Sequence, residues 1–174
     1  DTGSAEEHLE DLPTTLDGLP VVVCSVHSQV PCVAVALKAA DPTARLVYVM
    51  TDGASLPLVF SDLVAAMREK GLLDATVTAG HAFGGDLEAV TIPSALALAR
   101  HQLHADAVVV GMGPGVVGTD TTLGTTAVEV ATIKASTSSA TRPADAKAAS
   151  AARVPRSKPL GTTMRLRPIS SPLR

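Results

Sequence analysis

The chain has 174 residues, 46% hydrophobic and 18% charged, which is enough for one domain with a true core and too little for two. It has no Trp, and Tyr48, Phe60 and Phe83 are the only aromatic residues, so a base-stacking nucleic-acid platform is nearly excluded. No apolar run approaches the length that crosses a bilayer, and the default compartment is cytoplasmic.

The net charge of −3 conceals two unlike halves. Residues 1–135 hold 6 Lys/Arg against 16 Asp/Glu, a net of −10, whereas residues 136–174 hold 8 Lys/Arg and only Asp145, a net of +7. The second stretch is rich in Ser, Thr, Pro and Ala. It buries too little apolar surface to offset its ordering entropy, so it is expected to be a disordered basic tail. The acidic residues 1–18, broken by Pro13 and Gly18, are expected to be a lead-in, which leaves residues 19–135 as the domain. Cys24 and Cys32 sit among apolar neighbours and are expected to be small buried hydrophobes, not part of a disulfide or metal framework.

From Leu19 onward a repeating order sets in. Val21-Val22-Val23-Cys24-Ser25-Val26 is a β-branched run, expected to form a strand buried on both faces. It ends in His27-Ser28-Gln29, and Pro31 suits the first turn of a helix reaching Ala40. Leu46-Val47-Tyr48-Val49-Met50 is the second strand, followed by Thr51-Asp52-Gly53. A helix is expected from near Pro57, with Val59, Phe60, Leu63, Val64 and Met67 as its apolar stripe and Gly71 closing it. Ala75-Thr76-Val77-Thr78-Ala79 is the third strand, leading into Gly80-His81-Ala82-Phe83-Gly84-Gly85-Asp86. The next helix covers residues 93–104, with 87–92 undecided. Ala107-Val108-Val109-Val110 is the fourth strand, and a Thr-rich helix is expected over roughly 125–135.

Strands recurring about every 25–32 residues with helices between them have the spacing of βαβ units. The expected fold is a Rossmann-like α/β parallel sheet of about four strands with flanking helices. Four strands is few for such a domain, so the segment reads as an incomplete part of a larger sheet, with an open edge that favours self-association.

Four blocks of this sequence resemble one family. They are Gly18-Leu19-Pro20-Val21-Val22-Val23 with His27-Ser28-Gln29, then Tyr48-Val49-Met50-Thr51-Asp52-Gly53-Ala54-Ser55-Leu56-Pro57, Gly80-His81-Ala82-Phe83-Gly84-Gly85-Asp86-Leu87-Glu88-Ala89-Val90, and Gly111-Met112-Gly113-Pro114-Gly115-Val116-Val117-Gly118-Thr119. The chain is similar through them to the domain of unknown function 3866 family, over about residues 17–135. The resemblance implies a place within a longer fold and carries no catalytic assignment.

Ligands of open α/β sheets bind beyond the carboxyl ends of the strands. The loops expected there carry Ser25, His27 and Ser28, then Asp52, then His81, Asp86 and Glu88. His27, Asp52, His81 and Asp86 are the candidate catalytic group, suited to acid/base work or to a divalent metal bound by imidazole and carboxylate. The alternative is structural: histidines bonding loop backbone and acidic residues capping helices. Gly113-Pro114-Gly115-Val116-Val117-Gly118 fits GxGxxG in form, but no acidic residue follows at ribose distance, so a nicotinamide site is not expected. Two readings of this loop stay open. Either Gly111, Gly113, Gly115 and Gly118 with Thr119 form an anion nest, or they make a tight turn at positive φ. His101 and His104 share a helix face at the far edge of the sheet, where positive charge complements the dipole.

The sequence thus supports an enzyme acting on a small anionic metabolite at the sheet's carboxyl edge. The alternatives are a non-catalytic ligand-binding or interaction module, and an inactive fragment that associates through its sheet edge. The cofactor, if any, is left unspecified.

Overall fold

A computed structural model describes residues 12, 13, 15–51, 53–129, 131 and 133, all within one compact unit spanning residues 1–144. Five strands form one sheet: β1 (Val21–Cys24), β2 (Leu46–Thr51), β3 (Ala75–Ala79), β4 (Leu87–Ala89) and β5 (Ala107–Met112). Their order is β1-β5-β2-β3-β4 and every pairing is parallel. The central β2, β3 and β5 are buried throughout, as their unbroken apolar and Thr runs dictate.

Helices α1 (Val30–Ala40) and α2 (Asp62–Glu69) cover one face of the sheet. There Val30, Ala34, Val64 and Met67 pack on Leu46, Tyr48, Met50 and Val109. Helix α3 (Ile92–His101) covers the other face, where Ala95, Leu96, Leu98 and Ala99 pack on Val47, Val49, Val77, Val108 and Val110. Alternate residues of each strand thus serve opposite layers, the period-2 consequence of the pleat.

Several sequence expectations are corrected. β1 lies at the sheet edge and Val21, Val22 and Val23 are only half-buried, since β5 and not a second neighbour flanks it. Leu87-Glu88-Ala89 is a fifth strand, too short for a periodicity signal. Residues 80–86 carry the chain from β3 to the parallel β4 without a helix, where a dozen or more residues are usual. Gly80 and Gly84 make this short return possible at φ +72° and +89°.

The segment after Pro57 begins as a 3₁₀ turn (Leu58–Phe60), and α2 starts at Asp62. Val59 and Phe60 therefore point outward at 77% and 67% exposure, and only Leu63, Val64 and Met67 of the expected stripe pack inward. Cys24 is buried but Cys32 is exposed on α1. Leu16 and Leu19 are buried against the α3 face, so the chain before β1 joins the core. Of the Thr-rich helix, Thr126–Val128 is a 3₁₀ turn and Ile133 is buried against that same face. The expectations for residues 136–174 lie outside the described residues. Among the described residues no helix is long and apolar enough to cross a membrane.

Candidate functional site

The rim at the carboxyl ends of the strands divides into two places on opposite faces of the sheet. On the α1/α2 face His27 stands at the centre of a hydrogen-bonded knot. Its Nδ1 lies 3.1 Å from the Met112 carbonyl and 3.1 Å from the Tyr48 hydroxyl, and its Nε2 lies 2.7 Å from Ser61 Oγ. A carbonyl can only accept, so Nδ1 carries the proton and Nε2 accepts from the Ser61 hydroxyl. Ser61 Oγ in turn accepts from Val64 N–H at 3.1 Å, which makes Ser61 the N-cap of α2. The Tyr48 hydroxyl donates to the Met112 carbonyl at 2.9 Å.

The imidazole thereby joins the turn after β1, the start of α2 and the end of β5. Burial pushes its pKa below the ordinary imidazole value, and the Met112 carbonyl only partly opposes this. Burial likewise raises the Tyr48 phenol and the nearby Cys24 thiol, so both stay protonated at neutral pH. With both ring nitrogens engaged, His27 matches the structural alternative.

Asp86 of the candidate group is not gathered around it. Asp86 was expected on the carboxyl rim. The returning loop instead carries it to the amino-terminal end of β3, where it accepts from Thr76 N–H at 2.8 Å and from Arg68 at 2.7 and 2.8 Å. Partial burial raises its pKa, but Arg68 and Thr76 outweigh that and hold the carboxyl below the usual range. Glu88 accepts from Gly84 N–H at 2.9 Å and steadies the same loop. His81 is exposed just after Gly80 at the end of β3, and Asp52 lies outside the described residues. Among the described residues no group of three His, Cys, Asp or Glu could hold a metal ion.

The glycine loop is not a tight turn at positive φ. Gly111 belongs to β5, and none of Gly111, Gly113, Gly115 and Gly118 has a positive φ. A Cβ on Gly111 would lie 3.3 Å from Cys24 Cβ, and one on Gly113 3.3 Å from Met50 Sδ. On Gly115 it would meet Leu56 Cδ1 at 2.8 Å and Ala54 Cβ at 2.9 Å. Gly111 and Gly113 thus fit closely against β1 and β2, and Gly115 lets the loops after β5 and β2 pack together. Gly118 bridges to Thr125 in a short antiparallel pairing, inside which the Thr119 hydroxyl donates to the Gly124 carbonyl. His101 Nε2–H donates to the Thr15 carbonyl at 2.8 Å, tying the chain before β1 to α3.

The second rim place, on the α3 face, is a cleft of about 220 Å³ lined by Thr51, Ala79, Gly80, Val90, Thr91, Ile92 and Glu129. It lies where β2, β3 and β4 end and α3 begins. Thr91 and Ser94 form a reciprocal cap, each side chain accepting from the other residue's N–H. Pro93 follows in the first helical turn. Glu129 supplies the carboxylate, its Oε2 lying 3.4 Å from Thr51 Oγ1. Sequence reasoning missed Glu129 because it follows the last strand within a Thr-rich stretch that has no recognisable spacing to the other rim residues. The Thr91-Ile92-Pro93-Ser94 cap was the one signal for this side of the rim.

A layered α/β domain with a parallel sheet and a cleft at its carboxyl edge is the architecture these residues define. The family model described as "Protein of unknown function (DUF3866)" matches residues 1–150, and the chain belongs to that family. The matched span is wider than the blocks at 17–135 that carry the likeness. No curated protein and no solved structure matches the chain.

Proposed function

We propose that the chain binds a small carboxylate metabolite bearing a hydroxyl or amino group in the α3-face cleft, with Glu129 as the group that exchanges a proton with it. The observation that carries this reading is the pairing, in one cleft at the strands' carboxyl ends, of the first turn of α3 with the carboxylate of Glu129. Ile92 is the first helical residue, so its N–H has no carbonyl one turn back to bond, and the helix dipole adds positive potential there. This end favours an anion. Glu129 on the other wall accepts from a hydroxyl or ammonium group and disfavours a second negative charge. The cleft's volume corresponds to roughly seven waters, which suits a ligand with a short carbon chain. His27 and Asp86 are not part of this reading, because their hydrogen bonds are spent on the fold. The two free cysteines accord with a reducing compartment, and the cytoplasm remains our proposed location.

Titration calorimetry with short α-hydroxycarboxylates and α-amino acids tests the reading. A saturable heat is expected for at least one of them, with affinity reduced about tenfold or more in Glu129→Gln, as for loss of one charge-assisted hydrogen bond. Equal affinity in the variant, or no heat with any of the compounds, would overturn it.

A further inference from the structure

We propose that residues 80–89 are a flap, hinged beside the α3-face cleft and latched at its far tip by Asp86, which opens from the sheet as a unit while the rest of the sheet stays closed.

The latch is one of three built alike. Asp74, Asp86 and Asp106 stand directly before β3, β4 and β5. In each, Oδ2 accepts from a backbone N–H at the amino end of the neighbouring strand: Leu46 at 2.7 Å, Thr76 at 2.8 Å and Arg45 at 2.8 Å. The N–H of the same aspartate donates back to that residue's carbonyl, at 2.9, 3.0 and 2.9 Å. Each pair is thus closed into a ring. The carboxylate stands in for a carbonyl that the chain, arriving from a turn, does not offer, and the first N–H of the pairing is not left orphaned.

The three latches differ in their surroundings. Asp74 and Asp106 close the two sides of β2, a central strand buried throughout its length, so they open only with the domain. Asp86 closes β4, an edge strand of three residues with one neighbour. The chain leaves β3 at Gly80 and turns at Gly84, both at positive φ. Gly80 N–H donates to the Ala89 carbonyl at 3.0 Å, which joins the two ends of the flap at its base while the tip reaches back to Thr76. The other ties lie at the surface. Arg68 holds Asp86 at 2.7 Å with side chains 40% and 37% exposed, and Leu58 N–H donates to the carbonyl of the exposed Phe83 at 2.9 Å. A short edge strand held by exposed polar ties belongs to the low-stability end of a fold.

The base of the flap gives this motion a consequence. Gly80 at one end and Val90, the residue after the other, both line the cleft beside Thr91 and Ile92. A flap swinging at that base moves the cleft wall, whatever the cleft binds.

Native-state hydrogen exchange of the full chain tests this at the amides the latches hold. Thr76 and Asp86 amides should share one protection factor, about thirtyfold or more below that of Leu46 and Asp74. Cys24→Ala, a small core truncation at the opposite edge of the sheet, should lower protection at Leu46 about fivefold and leave Thr76 unmoved. Asp86→Ala should lower protection at Thr76 about tenfold, the scale of one charge-assisted hydrogen bond, and Asp86→Asn, which keeps an acceptor oxygen, should restore most of it. Equal protection at Thr76 and Leu46 in the wild type, or an equal fall at both in Cys24→Ala, would show that the flap opens only with the domain and overturn the proposal. Unchanged protection at Thr76 in Asp86→Ala would equally refute the latch.

Discussion

His27→Ala is expected to destabilise the domain by about 3 kcal/mol, the scale of leaving two buried hydrogen-bonding groups unsatisfied and opening a small void. The groups left without the ring are the Ser61 hydroxyl and one lone pair of the Met112 carbonyl. Denaturant titration of wild type and variant measures it. Ser61→Ala should reproduce only part of the loss, about 1 kcal/mol from the α2 cap and the remainder from the bond to Nε2. The pH dependence has a definite sign. Burial places the folded pKa of His27 below the ordinary value of about 6.5, so on acidification the unfolded chain takes up the proton first. The contribution of His27 is therefore complete above that value and is lost as pH falls from it toward the folded pKa. His27→Ala should lack this slope. A catalytic histidine held loosely at the rim would give the opposite result, with stability unchanged by the substitution.

Gly85→Ala is expected to cost about as much, near the upper end of the roughly 1–3 kcal/mol of core overpacking. A Cβ at this position would lie 2.8 Å from the Leu87 carbonyl oxygen and 2.8 Å from the Thr78 nitrogen, both backbone atoms that the β3–β4 pairing holds in place. The strain has one outlet, displacement of β4 from the sheet. Hydrogen exchange should show amides of Leu87–Ala89 losing protection ahead of those of β2 and β5. Gly71→Ala serves as the comparison. Nothing lies within 4 Å of a Cβ there, and its cost comes from φ +66° alone, about 1 kcal/mol. If both variants lost the same stability, the close approach at Gly85 would not be what fixes the return to β4.

The parallel sheet was legible because Val47, Val49, Val77, Val108 and Val110 stand in runs whose composition admits only burial on both sides. Punctuation by Pro31, Gly71 and Pro93 set helix limits that the structure keeps to within a few residues. The same logic misread β1, since a valine run looks alike at an edge and in the middle of a sheet. What differs is the neighbour, and strand order is a long-range property that no local window contains. Residues 80–86 misled for a related reason. After a βαβ-like spacing the next loop was expected to stay at the carboxyl rim, and Asp86 with it. The glycines at φ +72° and +89° instead fold the chain back along β3, bringing Asp86 to Arg68 and Thr76. Of the candidate site, the rim itself was legible from strand polarity. The cleft was not, because its carboxylate comes from Glu129 beyond the last strand and its other wall from the start of α3.

Chemical-shift mapping on ¹⁵N-labelled protein tests the α3-face cleft most directly. Titration with a short α-hydroxycarboxylate should move the amide signals of Gly80, Thr91 and Ile92 together along one saturable curve. The signals of Gly111 and Gly113, packed against Cys24 and Met50, should stay in place. Movement centred on Gly111 and Gly113 with Gly80, Thr91 and Ile92 unmoved would contradict the account and return the site to the glycine loop.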